Sequence, residues 1–511
     1  MTARSPSRLA AAVAGLLAGG LGLGVAELIA GLIPGAPSPV LAIGSLVIAL
    51  QPPNAKQLVV DLFGTADKLV LNLAVLAAAL AMSAGLALLE RRRPGWGRIG
   101  FVALAGLALV AAIRDPLVDL PLAVVNDVVA VGISTWTLPR LLHMALPRQA
   151  QSPRMLDFDR RRFLGTGVAL AGAAVTSGVV GRVLLERRAS AAASVPPVPA
   201  ADVPARPLPA GAELAVDGIT PLVVPNRDFY RIDTSLLTPR LDASSWRLSV
   251  DGMVERPFSI DYSELLAMPL VEQYVTIACV SNEVGGNLVG NALWRGVRLR
   301  DLLDRAGVQE GATQVVGRSF DDWTAGFPTV WLDVPGREAL VAVAMNGDVL
   351  PPEHGFPARL IVPGLYGYVS ATKWLTNIQL TTLEAFNGYW VPLGWAKEAP
   401  ILTQSRIDVP GGGASLQAGI QPVAGVAWAP DRGVAGVEVQ VDGLAWATAE
   451  ISTPISDATW VQWLYRWEAA PGQHTLRVRA ADGEGNVQTD QVTRPAPDGA
   501  RGLHTIQVNV G

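Results

Sequence analysis

Residues 275–303 read VTIACVSNEVGGNLVGNALWRGVRLRDLL, and this stretch decides how the central part of the chain is interpreted. The run VTIACV is apolar throughout, as a buried strand would be, and it gives way to the polar, glycine-rich turn SNEVGGN. Cys279 stands where the strand ends, so its sulfur can face a cleft. A cysteine in isolation is more often a small buried hydrophobe, and the neighbouring segments must decide between the two.

The segments on either side of Cys279 alternate short strands with helical turns. WRLSVDG, EQYVTIACV and RLIVPG have the apolar or alternating pattern of strands, whereas SELLAMP and LRDLLDRAG have helical spacing. This mixture predicts an α+β domain, to which we assign residues 212–395.

The order of these segments resembles that of a known family. NRDFYRIDT, WRLSVDG, the Cys279 segment, SFDDWTAGFP, NGDVLPPEHGFPARLIVPG and KWLTNI follow one another, between residues 226 and 378, as in the molybdopterin-binding domain of the sulfite oxidase family. The resemblance implies a molybdenum ion held by the two dithiolene sulfurs of a pterin and by Cys279 as a thiolate, a soft ligand suited to such a centre. It further implies an oxidoreductase that transfers an oxygen atom, with a sulfur oxyanion as the expected small substrate.

The same resemblance supplies candidate cofactor contacts, because the pterin phosphate needs cations and the ring needs hydrogen-bond partners. These candidates are Arg231, Asn282, Asp321 or Asp322, His354, Arg359, Ser370 and Lys373. Structural alternatives remain for three of them: a surface ion pair for Arg359, a turn residue for His354 and a strand end reaching solvent for Lys373. Four aromatic residues either line the pocket or belong to the core: Trp294, Trp323, Tyr366 and Tyr368.

Two positions depart from the family pattern. Animal and plant sulfite oxidases have arginines shortly after the metal-binding cysteine that gather the anionic substrate, whereas this chain has Glu283 and then glycines. Asp233 stands where relatives have histidine, so no pterin contact is assigned to it. Two alternatives therefore stay open: an S- or N-oxide reductase with the same cofactor, and a cofactor-free binding or adhesion protein that retains the fold.

The part of the chain before residue 187 is apolar enough to lie in lipid. The whole chain is 50% hydrophobic and 16% charged, with a mean hydropathy of +0.34. A spanning helix needs about 20 apolar residues, and five stretches are candidates: Leu9–Ile33, Lys68–Leu89, Ile99–Ile113, Leu120–Leu142 and Phe163–Leu185. The third is short, and Val40–Leu50 is shorter still. Arginine-rich loops belong inside, which predicts a multi-pass anchor over residues 1–186 in the cytoplasmic membrane with the rest of the chain on the extracytoplasmic side.

Residues 159–165, DRRRFLG, resemble a twin-arginine export signal in which Arg160 and Arg161 form the pair. That route carries folded proteins, which suits a domain loaded with cofactor in the cytoplasm; a plain positive-inside anchor is the alternative. Residues 187–211 are rich in alanine and proline and are predicted to be a linker that cannot bury enough apolar surface to order itself.

Residues 400–511 contain short strands at regular spacing, separated by DG, PG and DGEGN turns. This pattern predicts a β-sandwich of the immunoglobulin type. Pieces such as VEVQVDG and RAADGEGNVQ resemble the dimerisation domain that follows the molybdenum domain in the same family, but DGLAWATA departs from it. Homodimerisation is therefore left open.

The composition excludes several partners and cofactors. A net charge of −4 offers no basic stripe for nucleic acid. One cysteine excludes iron–sulfur clusters and the CxxCH haem attachment, and of four histidines only His143 lies in a predicted span, which excludes a haem held by two histidines there. We therefore expect a separate electron-transfer partner, a cytochrome or a membrane redox protein.

Overall fold

The computed structural model describes residues 6–51, 66–115, 117–146, 153–190, 197–333 and 338–511; within these ranges, the side chains of 153–160 and 189–190 are not described. The chain divides into two compact units. One comprises Met1–Ala191 with Ser235–Thr238, and the other comprises Ala192–Thr234 with Pro239–Gly511.

The first unit is helical. Its helices are α1 (Arg8–Leu32), α2 (Pro39–Leu50), α3 (Asp67–Arg92), α4 (Trp96–Ala112), α5 (Leu120–Met144) and α6 (Pro153–Ser190). Four stretches are long and apolar enough to cross a membrane: α1, α3, α5 and Arg161–Arg188 within α6. The predicted third span corresponds to α4, whose 17 residues extend about 25 Å, less than the roughly 30 Å of a hydrocarbon core. The count of five spans therefore stays a prediction.

Helix α1 packs closely against α6 because small residues line the contact. A Cβ on Gly24 would lie 2.4 Å from the Ala174 carbonyl oxygen, and one on Gly31 would lie 2.4 Å from that of Gly181. Helices in membranes commonly associate through such small residues. The signal-like segment at 159–165 lies on the α6 backbone, although the Arg160 side chain is outside the described part.

The second unit contains the α+β domain predicted from the sequence. Its strands are β1 (Arg247–Gly252), β2 (Phe258–Asp261), β3 (Leu270–Ala278), β4 (Val289–Arg298), β5 (Gln314–Ser319), β6 (Thr324–Pro328), β7 (Leu340–Met345), β8 (Asp348–Val349), β9 (Arg359–Ile361) and β10 (Leu375–Thr381). Its α-helices are α7 (Tyr262–Leu266), α8 (Leu299–Ala306) and α9 (Gly367–Ser370), with 3-10 turns at Thr329–Leu332, Pro352–His354 and Val391–Leu393.

These strands form two sheets around one core. The first has the order β2-β1-β10-β5-β6, and the second has the order β3-β4-β7-β8 with β9 also paired to β7. Trp294, Phe327, Leu248 and Ile260 are among the fully buried side chains of this core. Helix α8 shows how the sequence pattern works, since Leu299, Leu302, Leu303 and Ala306 form its buried face and Gly307 ends it with a φ of 68°.

Strands β3 and β4 position Cys279. They pair antiparallel along their whole length, with Ala278 opposite Val289 at the end of the ladder. Residues 279–288, which we call the cysteine loop, connect the two strands beyond that point. The Cys279 amide still donates to the Leu288 carbonyl oxygen at 2.9 Å, so the cysteine lies at the neck of the loop.

The C-terminal part of the second unit is a β-sandwich, as predicted; its immunoglobulin type stays a prediction. Its strands are β11 (Gln404–Val409), β12 (Ser415–Leu416), β13 (Gly419–Trp428), β14 (Val434–Val441), β15 (Ala447–Thr448), β16 (Glu450–Ile451), β17 (Val461–Ala469), β18 (Gly472–Asp482) and β19 (Thr505–Val510). They form two sheets, β11-β13-β17-β16 and β12-β19-β18-β14-β15, over a separate core that contains Val423, Trp463 and Val478.

Part of the predicted linker contacts β3. Residues 191–196 lie outside the described residues, and residues 202–205 are hydrogen-bonded to β3. The Val203 amide donates to Leu270 O at 3.1 Å, the Glu272 amide donates to Val203 O at 2.9 Å, and Asp202 accepts from the Leu270 amide at 2.8 Å. These bonds cover the edge of a sheet with backbone groups, so a sequence poor in large apolar residues is still held in place.

Candidate active site around Cys279

Cys279 is a buried free thiol in the described structure. Burial raises the pKa of its thiol, an effect that hydrogen bonds from Ser281 and the charge of Lys373 oppose. The sulfur is therefore held as a thiol at neutral pH unless a cation binds it, and a coordinated metal deprotonates such a group outright.

A cluster of charges lies beside the cysteine. The Lys373 ammonium is 3.1 Å from an Asp233 carboxylate oxygen, which also lies 3.0 Å from Arg231 Nε. Lys373 donates further to the Glu353 carbonyl oxygen at 2.9 Å. Burial lowers the pKa of Lys373 to about 8, although Asp233 acts in the opposite direction. Asp233, to which no cofactor contact was assigned, thus joins the two cations.

Arg359 is a buried cation. Its side chain is 4% exposed, its Nη1 donates to the His354 carbonyl oxygen at 2.9 Å, and its guanidinium lies over the Trp294 ring at 5.1 Å. Its Nε has no hydrogen-bond partner, and no ion pair with a carboxylate is found for it among the described residues. Burial lowers its pKa to about 10. A buried charge in this state favours an anionic ligand.

His354 presents an acceptor to the same region. Its Nε2 lies 2.7 Å from the Asn226 carbonyl oxygen, and because a carbonyl can only accept, Nε2 carries the proton and Nδ1 is left with a lone pair. Nδ1 is buried and has no partner. Burial, with further contributions from Lys373, Arg359 and Arg231, lowers the pKa of His354 to about 4. The imidazole is therefore neutral at physiological pH.

The structure separates the two adjacent aspartates. Asp321 is largely buried with one carboxylate oxygen lacking a partner, and burial, together with the charge of Asp233, raises its pKa. Asp322 adopts a φ of 62° in the β5–β6 turn, and its side chain is 88% exposed, 3.7 Å from Arg318. Only Asp321 therefore belongs to the charged cluster.

The side chains of two other candidates form hydrogen bonds with backbone groups. The Asn282 side chain accepts from the Leu288 amide at 2.8 Å and so shapes the cysteine loop. The Ser370 hydroxyl donates to the carbonyl oxygens of Tyr366 and Leu365 at 3.0 and 3.2 Å, within its own turn. The candidates that act on one another, directly or through Asp233, are therefore Arg231, Asp321, His354, Arg359 and Lys373, and Lys373 lies close enough to Cys279 to act on its thiol.

Tyr230 was not among the candidates and belongs to this group. Burial raises the pKa of its hydroxyl; the Cys279 thiol adds to that shift and Arg359 opposes it, so the phenol lies near both groups. Its position next to Arg231 in FYRIDT was the available signal. Tyr366, a pocket candidate, is buried near the thiol, which adds to the rise in its pKa caused by burial.

These residues fit a molybdopterin. Buried polar atoms without partners include a cationic donor at Arg359 Nε and acceptors at His354 Nδ1 and Asp321 Oδ1, which complement a ligand that carries both a negative charge and hydrogen-bonding ring edges. The soft thiolate needed for molybdenum stands beside them. Fold and site together define an oxidoreductase domain built to hold an anionic metal cofactor.

Comparisons with known proteins place the chain in a family. Residues 235–390 match the family described as oxidoreductase molybdopterin binding domain. The chain is 38% identical over 154 residues to the uncharacterized oxidoreductase YuiH of Bacillus subtilis (strain 168), covering 30% of this chain and 74% of that protein. It is 30% identical over 329 residues to mitochondrial sulfite oxidase of Mus musculus, covering 55% of this chain and 59% of that one. The chain therefore belongs to the molybdopterin-binding oxidoreductases of the sulfite oxidase type, and it is an enzyme.

The extent of similarity differs among relatives. This chain covers from 19% to 74% of the length of the first curated relatives it matches. Among solved structures, the sulfane dehydrogenase SoxCD from Paracoccus pantotrophus superimposes with a TM-score of 0.50 at 23% identity, over 58% of this chain and 82% of that one. This likeness concerns the fold.

Proposed function

We propose that this protein is a membrane-anchored enzyme whose extracytoplasmic domain catalyses oxygen-atom transfer on a small substrate, with Cys279 as the protein ligand to molybdenum. The observation that carries the proposal is a buried thiol at Cys279 and a buried cation at Arg359 whose Nε lacks a partner, both close enough to Tyr230 to act on its hydroxyl. In the oxidative direction the substrate gains one oxygen atom from water and releases two protons and two electrons. The bound cofactor supplies the oxygen transfer and accepts the electron pair.

The protein's own contribution is binding and orientation. Arg359, with Lys373 and Arg231, would supply positive charge for the phosphate of a bound pterin, and His354 Nδ1 would be available to accept a hydrogen bond from it. Asp233 partly neutralises the cluster, which keeps Lys373 in place without cancelling the net positive charge. Cys279 gives the metal a thiolate from a rigid strand end.

A sulfur oxyanion is the preferred substrate class. SoxCD, which shares the fold, is a sulfane dehydrogenase, and the mouse relative is a sulfite oxidase. One observation favours a second candidate, the reduction of neutral S-oxides: Glu283 is exposed in the cysteine loop, where a negative charge would repel an anion.

In either direction, electrons pass to or from a separate partner, for which we propose a cytochrome or a membrane redox protein.

Metal analysis tests the cofactor. The full chain, purified in detergent from a strain that makes molybdopterin, should contain molybdenum close to stoichiometrically by elemental analysis. Cys279→Ser should lower turnover at least about 100-fold, because even residues that only support metal ligands commonly cost 10- to 100-fold. Asn287→Ala, at an exposed position of the same loop, serves as the control. A chain without molybdenum from such a strain would leave a cofactor-free binding or adhesion protein as the remaining interpretation.

Two assays distinguish oxidation of the substrate from its reduction. Oxidation of sulfite or thiosulfate with a one-electron acceptor is compared with reduction of methionine sulfoxide by a reduced dye. Turnover in the first assay supports the preferred substrate class, and turnover in the second alone would reverse the proposed direction. Glu283→Gln should lower the KM for an anion and leave the KM for a neutral sulfoxide unchanged.

A further inference from the structure

The cysteine loop is fixed at its neck by its own strands. Besides the bond from the Cys279 amide to Leu288 O, the Asn282 amide donates to Cys279 O at 3.0 Å, and the Asn282 side chain accepts from the Leu288 amide at 2.8 Å. The tip at Gly285 and Gly286 has one internal bond, from the Gly286 amide to Glu283 O at 2.8 Å. A tip held so sparsely needs other contacts to keep one position.

Those contacts come from the β-sandwich. Arg406, on β11, donates through Nη1 to the Gly286 carbonyl oxygen at 2.7 Å. Its other nitrogens are fixed, Nε by Asp408 at 2.6 Å and Nη2 by the Thr220 hydroxyl at 2.8 Å. Asp408 in turn accepts from the Thr220 amide at 3.0 Å. Arg406 and Asp408 are about nine-tenths buried, so the guanidinium is a rigid, charge-assisted donor to the loop.

His504 covers the same tip from the start of β19. Gly285 has a φ of 78°, and a Cβ on it would lie 2.2 Å from His504 Cδ2, so the ring lies directly on the glycine. The ring is held in turn, because its Nδ1 accepts from the Ile407 amide at 2.9 Å. Two side chains of a different domain thus hold the part of the loop that its own strands leave free.

We propose that Arg406 and His504 are positioning residues for the metal ligand: by holding the tip of the cysteine loop, the β-sandwich fixes where the Cys279 sulfur points. The inference rests on the proposed role of Cys279. It assigns the C-terminal domain a part in the chemistry of the site. Neither side chain touches the sulfur, and both act through the backbone at Gly285 and Gly286.

The test uses the single cysteine of the chain as a reporter. The full chain is purified in detergent without cofactor, and the rate at which iodoacetamide alkylates Cys279 is measured over pH 7–10. Arg406→Gln should raise this rate about tenfold, equivalent to about 1.4 kcal/mol, the expected scale for a lost charge-assisted hydrogen bond. Arg406→Lys should give a smaller increase.

Arg432→Gln is the matched control. Arg432 is a similarly buried sandwich arginine, paired with Asp482 at 2.9 Å, and it donates to Ile401 O at 2.9 Å, away from the cysteine loop. It should leave the alkylation rate within about twofold of the original, since the bonds that this change removes lie away from the cysteine loop. Equal rates for Arg406→Gln and the unaltered chain, or equal increases in both variants, would overturn the proposal.

Two further measurements complete the test. In the molybdenum-loaded enzyme, Arg406→Gln should lower kcat with KM unchanged and shift the g values of the Mo(V) signal, whereas Arg432→Gln should change neither. If Arg406→Gln fails to fold, hydrogen exchange on the unaltered chain and on Arg406→Lys decides: the Gly286 amide, whose bond to Glu283 O needs a fixed tip, should exchange faster in Arg406→Lys, and equal exchange in the two would contradict a tip held by Arg406. Because alkylation and exchange need no cofactor, they remain informative even if the unaltered chain proves free of molybdenum.

Discussion

Arg359 shows how a single residue can indicate an absent ligand. A buried guanidinium without a carboxylate partner lowers the stability of the cofactor-free protein, and an anion at the site would compensate. Arg359→Met, which removes the charge at similar length, should therefore raise the free energy of unfolding of the cofactor-free protein by about 1 kcal/mol. The same change should lower the molybdenum content of protein made with cofactor at least about tenfold.

Arg295 provides the comparison for this prediction. It is also largely buried, but it pairs with Glu272 at 2.6 Å. Arg295→Met should lower the free energy of unfolding by about 2 kcal/mol, because it leaves Glu272 without that partner, and it should leave the molybdenum content unchanged. Urea titration and elemental analysis measure both effects. A loss of stability in Arg359→Met would mean that the guanidinium is structural.

His354 makes the stability of the cofactor-free protein depend on pH. The imidazole has a pKa of about 4 when folded, against an ordinary value of 6.5, so between these values the unfolded chain binds the proton more tightly. The stabilisation is complete above pH 6.5 and is lost as the pH falls toward 4, by up to about 3 kcal/mol. His354→Gln, which does not titrate, should show a shallower loss over this window.

Urea titrations of the unaltered chain and of His354→Gln at pH 7, 6, 5 and 4.5 give the difference between their free energies of unfolding. Titrating groups that both proteins share cancel in this difference. His504, whose pKa burial and Arg406 also lower, is present in both proteins. A difference that stays constant within about 0.5 kcal/mol would show that His354 is accessible to protons in the folded state.

The sequence alone indicated some candidate residues of the site around Cys279 and could not choose between others. The identity of the neighbouring segments singled out Cys279, His354 and Arg359, whose roles stay predictions; in the structure Cys279 is buried, and Arg359 donates to the His354 carbonyl oxygen. Asp321 and Asp322 were indistinguishable in sequence, because the positive φ at Asp322 that turns it toward solvent is a property of the β5–β6 turn. The ion pairs of Asp233 join side chains 140 positions apart, a separation that no local pattern reports.

At the scale of elements, periodicity predicted the strands and helices that bury a regular face. The segments EQYVTIACV and LRDLLDRAG became β3 and α8 because alternation and helical spacing specify which side faces the core. Residues 202–205 fall in the predicted linker, and the structure bonds them to β3. Their bonds use backbone groups, which leave no trace in the pattern of side chains.

The cysteine loop illustrates a second limit at this scale. Its glycines predicted a turn, and the structure has one. They also have a second role: Gly285 leaves space for the His504 ring, and the Gly286 carbonyl accepts a hydrogen bond from Arg406. Both partners belong to a domain that begins more than a hundred residues later. Such contacts between domains arise only after both have folded, so neither segment alone encodes them.

For the whole molecule, whether α4 crosses a membrane decides, in the proposed topology, on which side the enzyme domain would lie. Four crossings would place both ends of the helical part on one side, and five would place them on opposite sides. α4 has 17 residues, mostly apolar, and a helix of that length can cross only where the bilayer thins or where its ends reach the interface. The arginines that follow α3 and precede α6 favour five crossings, with the enzyme domain outside.

Export by the twin-arginine route would explain how a loaded cofactor reaches that side, because that route accepts folded domains. Replacing Arg160 and Arg161 with lysines preserves the charge that orients the helices but removes the paired signal. We expect most of the enzyme domain of this variant to become resistant to protease added to spheroplasts. Lysines at Arg91 and Arg92, at the end of α3, are the matched control and should leave the domain accessible. If the Arg160 and Arg161 variant stays fully accessible, the domain crosses unfolded by ordinary membrane insertion, and the cofactor must then be inserted outside.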